Sequence, residues 1–322
     1  MGTNNRFELR KTRTEALALL DSYRRHISGF LGKRSVESYL YMAAKFMETI
    51  GWNASNFTQT AAEDYIAMNF SMRKTDSGKT ISATTRNLRI AALHSFGEWL
   101  VKVRHALDSN PMDEVRRAKP AKRLPKFLTE EEIERLLNAQ DVKTPEGLRN
   151  RALLEFFVCT GCRVSEVSDL TLDQLDIPNA TALILGKGNK ERCVYLSDEC
   201  IEWLKKYIKK ARAGWKAKSD HGDMPYVFTN ENYVRCSRQV IYGWVSAAGR
   251  KAKIKKTIHP HLLRHSFGTK MVREGANIVS VQQLLGHSSL ATTQVYVSVT
   301  ENDKKNAVQR IFNRKKTEEA AE

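Results

Sequence analysis

A mainly helical chain of two domains, the second carrying a small antiparallel sheet (an α+β domain), is the fold class that three features of this sequence predict. Long stretches repeat apolar residues at three- and four-residue steps, two short stretches alternate around a tight turn, and a basic stretch with prolines divides the chain. At 322 residues the chain is long enough for each domain to bury a core of its own.

Residues 6–13 hold Arg6, Arg10, Lys11 and Arg13 and read as a loose basic arm. From Thr14 the pattern turns helical, through Leu17, Leu20, Tyr23, Ile27, Phe30 and Leu31, until Gly32 stops it. A second helix is expected over 35–50, with Ser35 as N-cap and Val36, Tyr39, Leu40, Ala43, Phe46 and Met47 inward. A third fits 60–70. A fourth fits 82–103, with Leu88, Ala91, Ala92, Ser95, Phe96, Trp99 and Leu100 as its stripe. Together they make a compact helical domain over 1–107. Residues 108–126 read as a basic interdomain linker, since Pro111, Pro120 and Pro125 interrupt it and no helical period runs through it.

The second domain is expected over 127–300, opened by a helix with capping-box spacing from Thr129 to Glu132. An apolar helix follows over 148–160. Strands over 181–185 and 192–196 form a hairpin around the turn 186–191, a helix covers 198–212, a third short strand 226–229, and helices fill the remainder. In the tail, 301–322, Ala307, Val308, Ile311 and Phe312 make a short apolar stripe.

Charge narrows the partner. With 53 Lys and Arg against 36 Asp and Glu the net charge is +17, a field suited to a polyanion, and nucleic acid is the partner expected. No apolar run approaches the ~20 residues that span a bilayer, so no membrane is expected. The first residues lack an apolar signal core, which predicts a cytoplasmic protein. Arg73, Lys74 and Lys79 before the fourth helix, Arg86 and Arg89 at its start, and Arg116, Arg117, Lys119, Lys122 and Arg123 in the linker are the candidate DNA contacts. Five cysteines, odd in number and sparse, read as reduced thiols, and Cys159 and Cys162 as core thiols rather than a metal pair.

The turn 186–190 lacks the spacing of a phosphate-binding P-loop. His261 and His265, at i and i+4, could share a zinc ion, but a zinc protease needs Glu where this chain has Leu262, and no metal is expected. His261 and Arg264, at i and i+3, present a proton carrier beside a five-donor guanidinium suited to phosphate oxygens. Arg163 stands at an expected helix start, where free N–H groups favour an anion, with Glu166 three residues on to orient it. In order, Arg163, Lys187, His261, Arg264, His287 and Tyr296 supply every group a metal-free phosphoryl transfer needs, with Tyr296 as nucleophile.

These stretches closely resemble the tyrosine recombinases, the family of Xer-type recombinases and phage or transposon integrases. The resemblance rests on Thr160-Gly-Cys-Arg-Val-Ser-Glu166, Gly186-Lys-Gly-Asn-Lys-Glu-Arg192, His261-Leu-Leu-Arg-His-Ser-Phe267 and Leu285-Gly-His-Ser-Ser-Leu-Ala-Thr-Thr-Gln-Val-Tyr296, in family order. It implies an N-terminal core-binding domain and a catalytic domain that clamp double-stranded DNA. By this resemblance Arg163 and Arg264 hold the phosphate, Lys187 protonates the leaving 5′ oxygen, His261 assists proton removal from Tyr296, and His287 bonds the phosphate. No cofactor is implied. The expected assembly is a homotetramer on paired sites, a monomer or weak oligomer when free, tied together by the tail helix, with accessory bending or directionality factors. Departures from the family pattern are Cys162, where an aliphatic residue is usual, and Val297-Ser298 after the tyrosine. Two alternatives share the basic clamp: a type IB topoisomerase-like nicking and relaxing enzyme, and a non-catalytic DNA-binding regulator.

Overall fold

The computed structural model describes residues 2–71, 81–119, 126–186 and 190–286. Its chain divides into two compact units, Met1–Arg123 and Leu124–Glu322.

The first unit holds α1 (Gly2–Ser28), α2 (Lys33–Thr49), α3 (Gln59–Ile66) and α4 (Ala83–Lys102). Residues 6–13 are helical, a correction to the loose arm: the stretch has no glycine or proline, and its straight-chain residues extend α1 from Gly2. The core joins Leu20, Tyr23 and Ile27 of α1 to Phe46 and Met47 of α2 and Ile90, Leu93, Phe96 and Leu100 of α4. Tyr23 meets Phe96 edge-on at 5.1 Å and donates to Ser95 Oγ at 3.0 Å, so its hydroxyl is satisfied inside an apolar core. Leu17, Phe30 and Leu88, expected inward, are exposed; on α4 the buried line runs instead through Ile90 and Leu93. Ser35 lies inside the first turn of α2, whose N-cap is Gly32 with no side-chain bond. Thr58 caps α3, earlier than expected, and Ser82 caps α4 by accepting from Thr85 N at 3.1 Å.

Residues 108–119 run along α4. Asn110 Nδ2 donates to His94 O at 3.1 Å, Met112 is buried, and Asn87 on α4 exchanges two bonds with Ala118, at 2.8 and 2.9 Å. Arg116, Arg117 and Lys119 are exposed on this docked segment.

The second unit runs α5 (Glu130–Asn138), α6 (Pro145–Thr160), α7 (Val164–Asp169), β1 (Leu175–Asp176), β2 (Thr181–Leu185), β3 (Glu191–Tyr195), α8 (Asp198–Lys206), α9 (Ala213–Ala217), α10 (Arg238–Lys251), α11 (Pro260–Arg273) and α12 (Ile278–Leu285). The Thr129–Glu132 capping box opens α5 as expected. The most buried helix is α6, with Ala152, Leu153, Leu154, Phe156 and Phe157 all inside the core. The sheet is antiparallel, in the order β1-β2-β3, with Ile184 opposite Arg192 and Leu183 opposite Cys193. Its third strand is β1, not 226–229. There Tyr226 and Thr229 make isolated bridges, and Val227 and Phe228 are both buried, so the stretch does not alternate as a strand face would. The helix expected over 198–212 passes through a wider π-type turn, Tyr207–Arg212, into α9. Among the described residues no helix is long and apolar enough to cross a membrane.

Candidate active site

The site is organised around the C-terminal end of α12. A helix leaves its last carbonyls without intrahelical partners and carries partial negative charge there. Three arginines from separate elements take three consecutive carbonyls. Arg192 Nε donates to Leu284 O at 2.8 Å, Arg264 Nη2 to Leu285 O at 2.6 Å, and Arg163 Nη2 to Gly286 O at 2.9 Å. Gly286 ends α12 in the left-handed region (φ 64°), and a Cβ there would stand 3.2 Å from Arg192 Nη1.

Each arginine is delivered by a local device. Gly161, at φ 61°, stops α6, and the chain turns so that Arg163 is the N-cap of α7. Glu166, three residues on, accepts from the Arg163 backbone N–H at 2.7 Å and from its Nη1 at 2.9 Å. The orienting partner expected from sequence is therefore in contact with Arg163. Arg264 is buried on α11 and also donates Nη1 to Gly161 O at 2.9 Å, fastening α11 to the end of α6. Pro260 sits in the first turn of α11, and His259 caps it through Nδ1, which accepts from Leu262 N at 3.1 Å.

Arg192 was not singled out by sequence, yet it closes the network. Both Glu166 oxygens accept from it, Oε1 from Nη1 at 2.9 Å and Oε2 from Nη2 at 2.7 Å. A readable signal exists: Ala182, Ile184 and Val194 on the same face of the sheet are buried, and an arginine among them needs a partner.

The electrostatics follow from this packing. Burial pushes the Glu166 carboxyl up, but the bonds and charge of Arg192, then of Arg163, outweigh it and hold Glu166 below the usual carboxylate range. His261 is exposed on one side; the partial burial of its ring, then the Arg264 and Arg163 charges, keep its pKa below the ordinary imidazole value. Neutral His261 can accept a proton near pH 7. Burial, then the neighbouring His261 and Arg264, lower His265.

Arg163, Glu166, His261 and Arg264 thus come together in the second unit. Lys187, His287 and Tyr296 lie outside the described residues, as do Arg73, Lys74, Lys79, Lys122, Arg123 and the tail helix. Arg86 and Arg89 are half-buried on α4, not fully presented to solvent.

Residues 126–303 match the phage integrase family. Tyrosine recombinase XerD of Bifidobacterium longum is 36% identical over 279 residues, covering 84% of this chain and 88% of that protein. Among solved structures, XerH site-specific recombinase bound to its palindromic difH substrate aligns with TM-score 0.71 and 22% identity over 96% of this chain and 89% of that one. A lambda integrase tetramer bound to a Holliday junction aligns with TM-score 0.64 and 16% identity, over 84% and 77% of the two chains.

Proposed function

This chain belongs to the phage integrase family and is a tyrosine recombinase, an enzyme that cleaves and rejoins DNA, and from that premise we propose how its residues divide the reaction. Tyr296 Oη attacks the scissile phosphorus, the bond to the 5′ oxygen breaks, and a 3′-phosphotyrosyl link and a 5′-hydroxyl result. The 5′-hydroxyl of a partner strand then attacks the link and releases Tyr296. Bond energy is conserved in the intermediate, so no nucleotide is consumed.

Tyrosine at its free pKa of about 10 is a poor nucleophile, and the phosphorane gathers negative charge. Arg163 and Arg264 hold the non-bridging oxygens, His261 assists removal of the Tyr296 proton, His287 bonds the phosphate, and Lys187 protonates the leaving 5′ oxygen. The convergence of Arg163 and Arg264 on the carbonyls of Leu285 and Gly286 is the observation that supports this reading, since His287 is the next residue and Tyr296 ten beyond Gly286. Loss of one such preorganised donor costs ~10²–10³ in rate.

The enzyme works on double-stranded DNA as a homotetramer on paired sites. Residues 1–107 act as the core-binding domain, with the basic segment 108–119 docked on it, 127–300 as the catalytic domain, and 301–322 as the subunit contact. Arg73, Lys74, Lys79, Arg86, Arg89, Arg116, Arg117, Lys119, Lys122 and Arg123 supply phosphate contacts. Free protein is a cytoplasmic monomer or weak oligomer, nucleoid-associated once on DNA. Accessory bending or directionality factors assist.

Cleavage mapped on DNA flanking the gene supplies a substrate for the test. A nicked duplex bearing that site traps a covalent adduct with the wild type, whereas Tyr296→Phe binds the duplex and traps none. An adduct surviving in Tyr296→Phe removes Tyr296 as nucleophile.

A further inference from the structure

We propose that Arg192 is a positioning residue for strand cleavage: it locks Glu166, and through it Arg163, to the root of the β2–β3 hairpin and the end of α12. The inference rests on the roles given above to Arg163, Lys187 and Tyr296.

Four of the five N–H donors of Arg192 are already aimed at acceptors of the protein itself. Nη1 and Nη2 grip the two Glu166 oxygens, Nη2 also lies 3.8 Å from Cys162 Sγ, and Nε holds Leu284 O. Its side chain is 11% exposed, against 32% for Arg163. The arginine that faces solvent is Arg163; Arg192 stands behind it.

What Arg192 joins is specific. It lies opposite Ile184 in the ladder, one pair below Leu185 and Glu191, and Gly186 N donates to Lys190 O at 2.8 Å to close the hairpin root. Lys187 is joined to Gly186 by one peptide bond. A bidentate grip fixes the plane of the Glu166 carboxylate. That plane in turn fixes the acceptors that Arg163 meets with its backbone N–H and its Nη1. Nε then ties the same guanidinium to the carbonyl two residues before Gly286 O, the acceptor of Arg163 Nη2. One side chain thereby sets the relative position of the strand leading to Lys187, the arginine for the phosphate and the turn leading to His287. Lysine could neutralise Glu166 but cannot span both carboxylate oxygens and Leu284 O at once.

The test uses full-length wild type, Arg192→Ala and Arg192→Lys in single-turnover adduct formation on the nicked duplex across pH, with DNA affinity measured in parallel. A displacement of order 1 Å costs ~10²-fold, so Arg192→Ala should form adduct about 10²-fold more slowly with its DNA affinity unchanged, and Arg192→Lys should recover only part. Without Arg192 the acid limb of the rate profile should move to higher pH, because Glu166 protonates more easily. Rates within about threefold of wild type at every pH in both variants overturn the proposal, as does a loss of affinity that accounts for the whole loss of rate. If Arg192→Ala does not fold, Arg192→Lys is judged by the same criteria. Hydrogen exchange reads the lock without chemistry: the Arg163 amide, a donor to Glu166, should lose protection in Arg192→Lys, and unchanged protection there overturns the lock. A wild type that traps no adduct while that protection is lost as expected sinks the assignment of Tyr296 and leaves the lock standing.

Discussion

Glu166→Gln tests whether the buried carboxylate stabilises the second unit. Four donors converge on it, two per oxygen: Arg163 Nη1 and Arg192 Nη1 on Oε1, the Arg163 backbone N–H and Arg192 Nη2 on Oε2. A carboxylate offers about four lone-pair sites, so its capacity is filled. Whichever oxygen becomes the amide nitrogen, two accepted bonds are replaced by donors facing donors, and the charge opposing two guanidinium groups is gone. Removing one partner of a buried pair costs about 3–5 kcal/mol. Because the Arg163 side chain is 32% exposed, water screens part of that, and about 2–4 kcal/mol is the expected loss. For a unit of this size that corresponds to a drop of roughly 5–15 °C in Tm. Calorimetry of the full chain should show it in the transition of the second unit. Glu130→Gln is the control: it also breaks an ion pair of 2.9 Å, to Lys270, but both side chains are exposed, and the melt should stay where it was. The pH dependence adds a second check. Glu166 titrates lower folded than unfolded, so as pH falls the unfolded chain takes up the proton first. Its contribution is present above the unfolded value of about 4.3 and is lost as pH falls through the folded value. The gap between wild type and Glu166→Gln should therefore be constant from about pH 7 to 5 and narrow below about 4. A variant that melts with the wild type, or a gap that never narrows in acid, refutes the reasoning.

Two further substitutions probe how the site and the first unit are held. Gly161→Ala places a Cβ 2.6 Å from Phe267 Cδ1 and 3.0 Å from Leu285 Cδ2, at a φ of 61° that disfavours side chains. Left-handed strain of about 1 kcal/mol plus overpacking of about 1–3 kcal/mol should destabilise the second unit by roughly 2–4 kcal/mol in urea unfolding; a loss below about 1 kcal/mol means that the contact relaxes freely. Asn87→Ala removes both bonds to Ala118, and should release the Ala118 amide to exchange at least about tenfold faster, as loss of roughly 1–2 kcal/mol of local protection requires. An Ala118 amide already unprotected in the wild type contradicts the docking of 108–119.

The fold was legible where one local rule decided an element. Thr129 and Glu132 fix the start of α5, Gly161 the end of α6, and the alternation on both sides of the turn gives β2 and β3. It was less legible where competing faces were similar. On α4, Leu88 and Ile90 are equally apolar, and only the position of α1 and α2 decides that Ile90 is buried and Leu88 exposed. Pro111, Pro120 and Pro125 argued for a linker over 108–126, but proline forbids helix, not docking: over 108–119 Asn87 and Asn110 satisfy the backbone without regular structure.

For the site, spacing along one element was enough to pair Arg163 with Glu166, because N-cap and N3 positions always meet. It could not connect Arg192 to Glu166, 26 residues away, or Arg264 to Leu285, because those contacts depend on how β3, α11 and α12 stack. Yet Arg192 violates the pattern of its own strand, a cation in register with buried Ile184 and on the same face as buried Val194. An arginine in that position costs free energy unless something receives it. The two strongest acceptors within reach are a buried carboxylate and the negative end of a helix, and Arg192 uses both. A basic residue on the apolar face of a strand is therefore itself a pointer to a site, because the acceptor it demands is the group around which the other arginines are arranged.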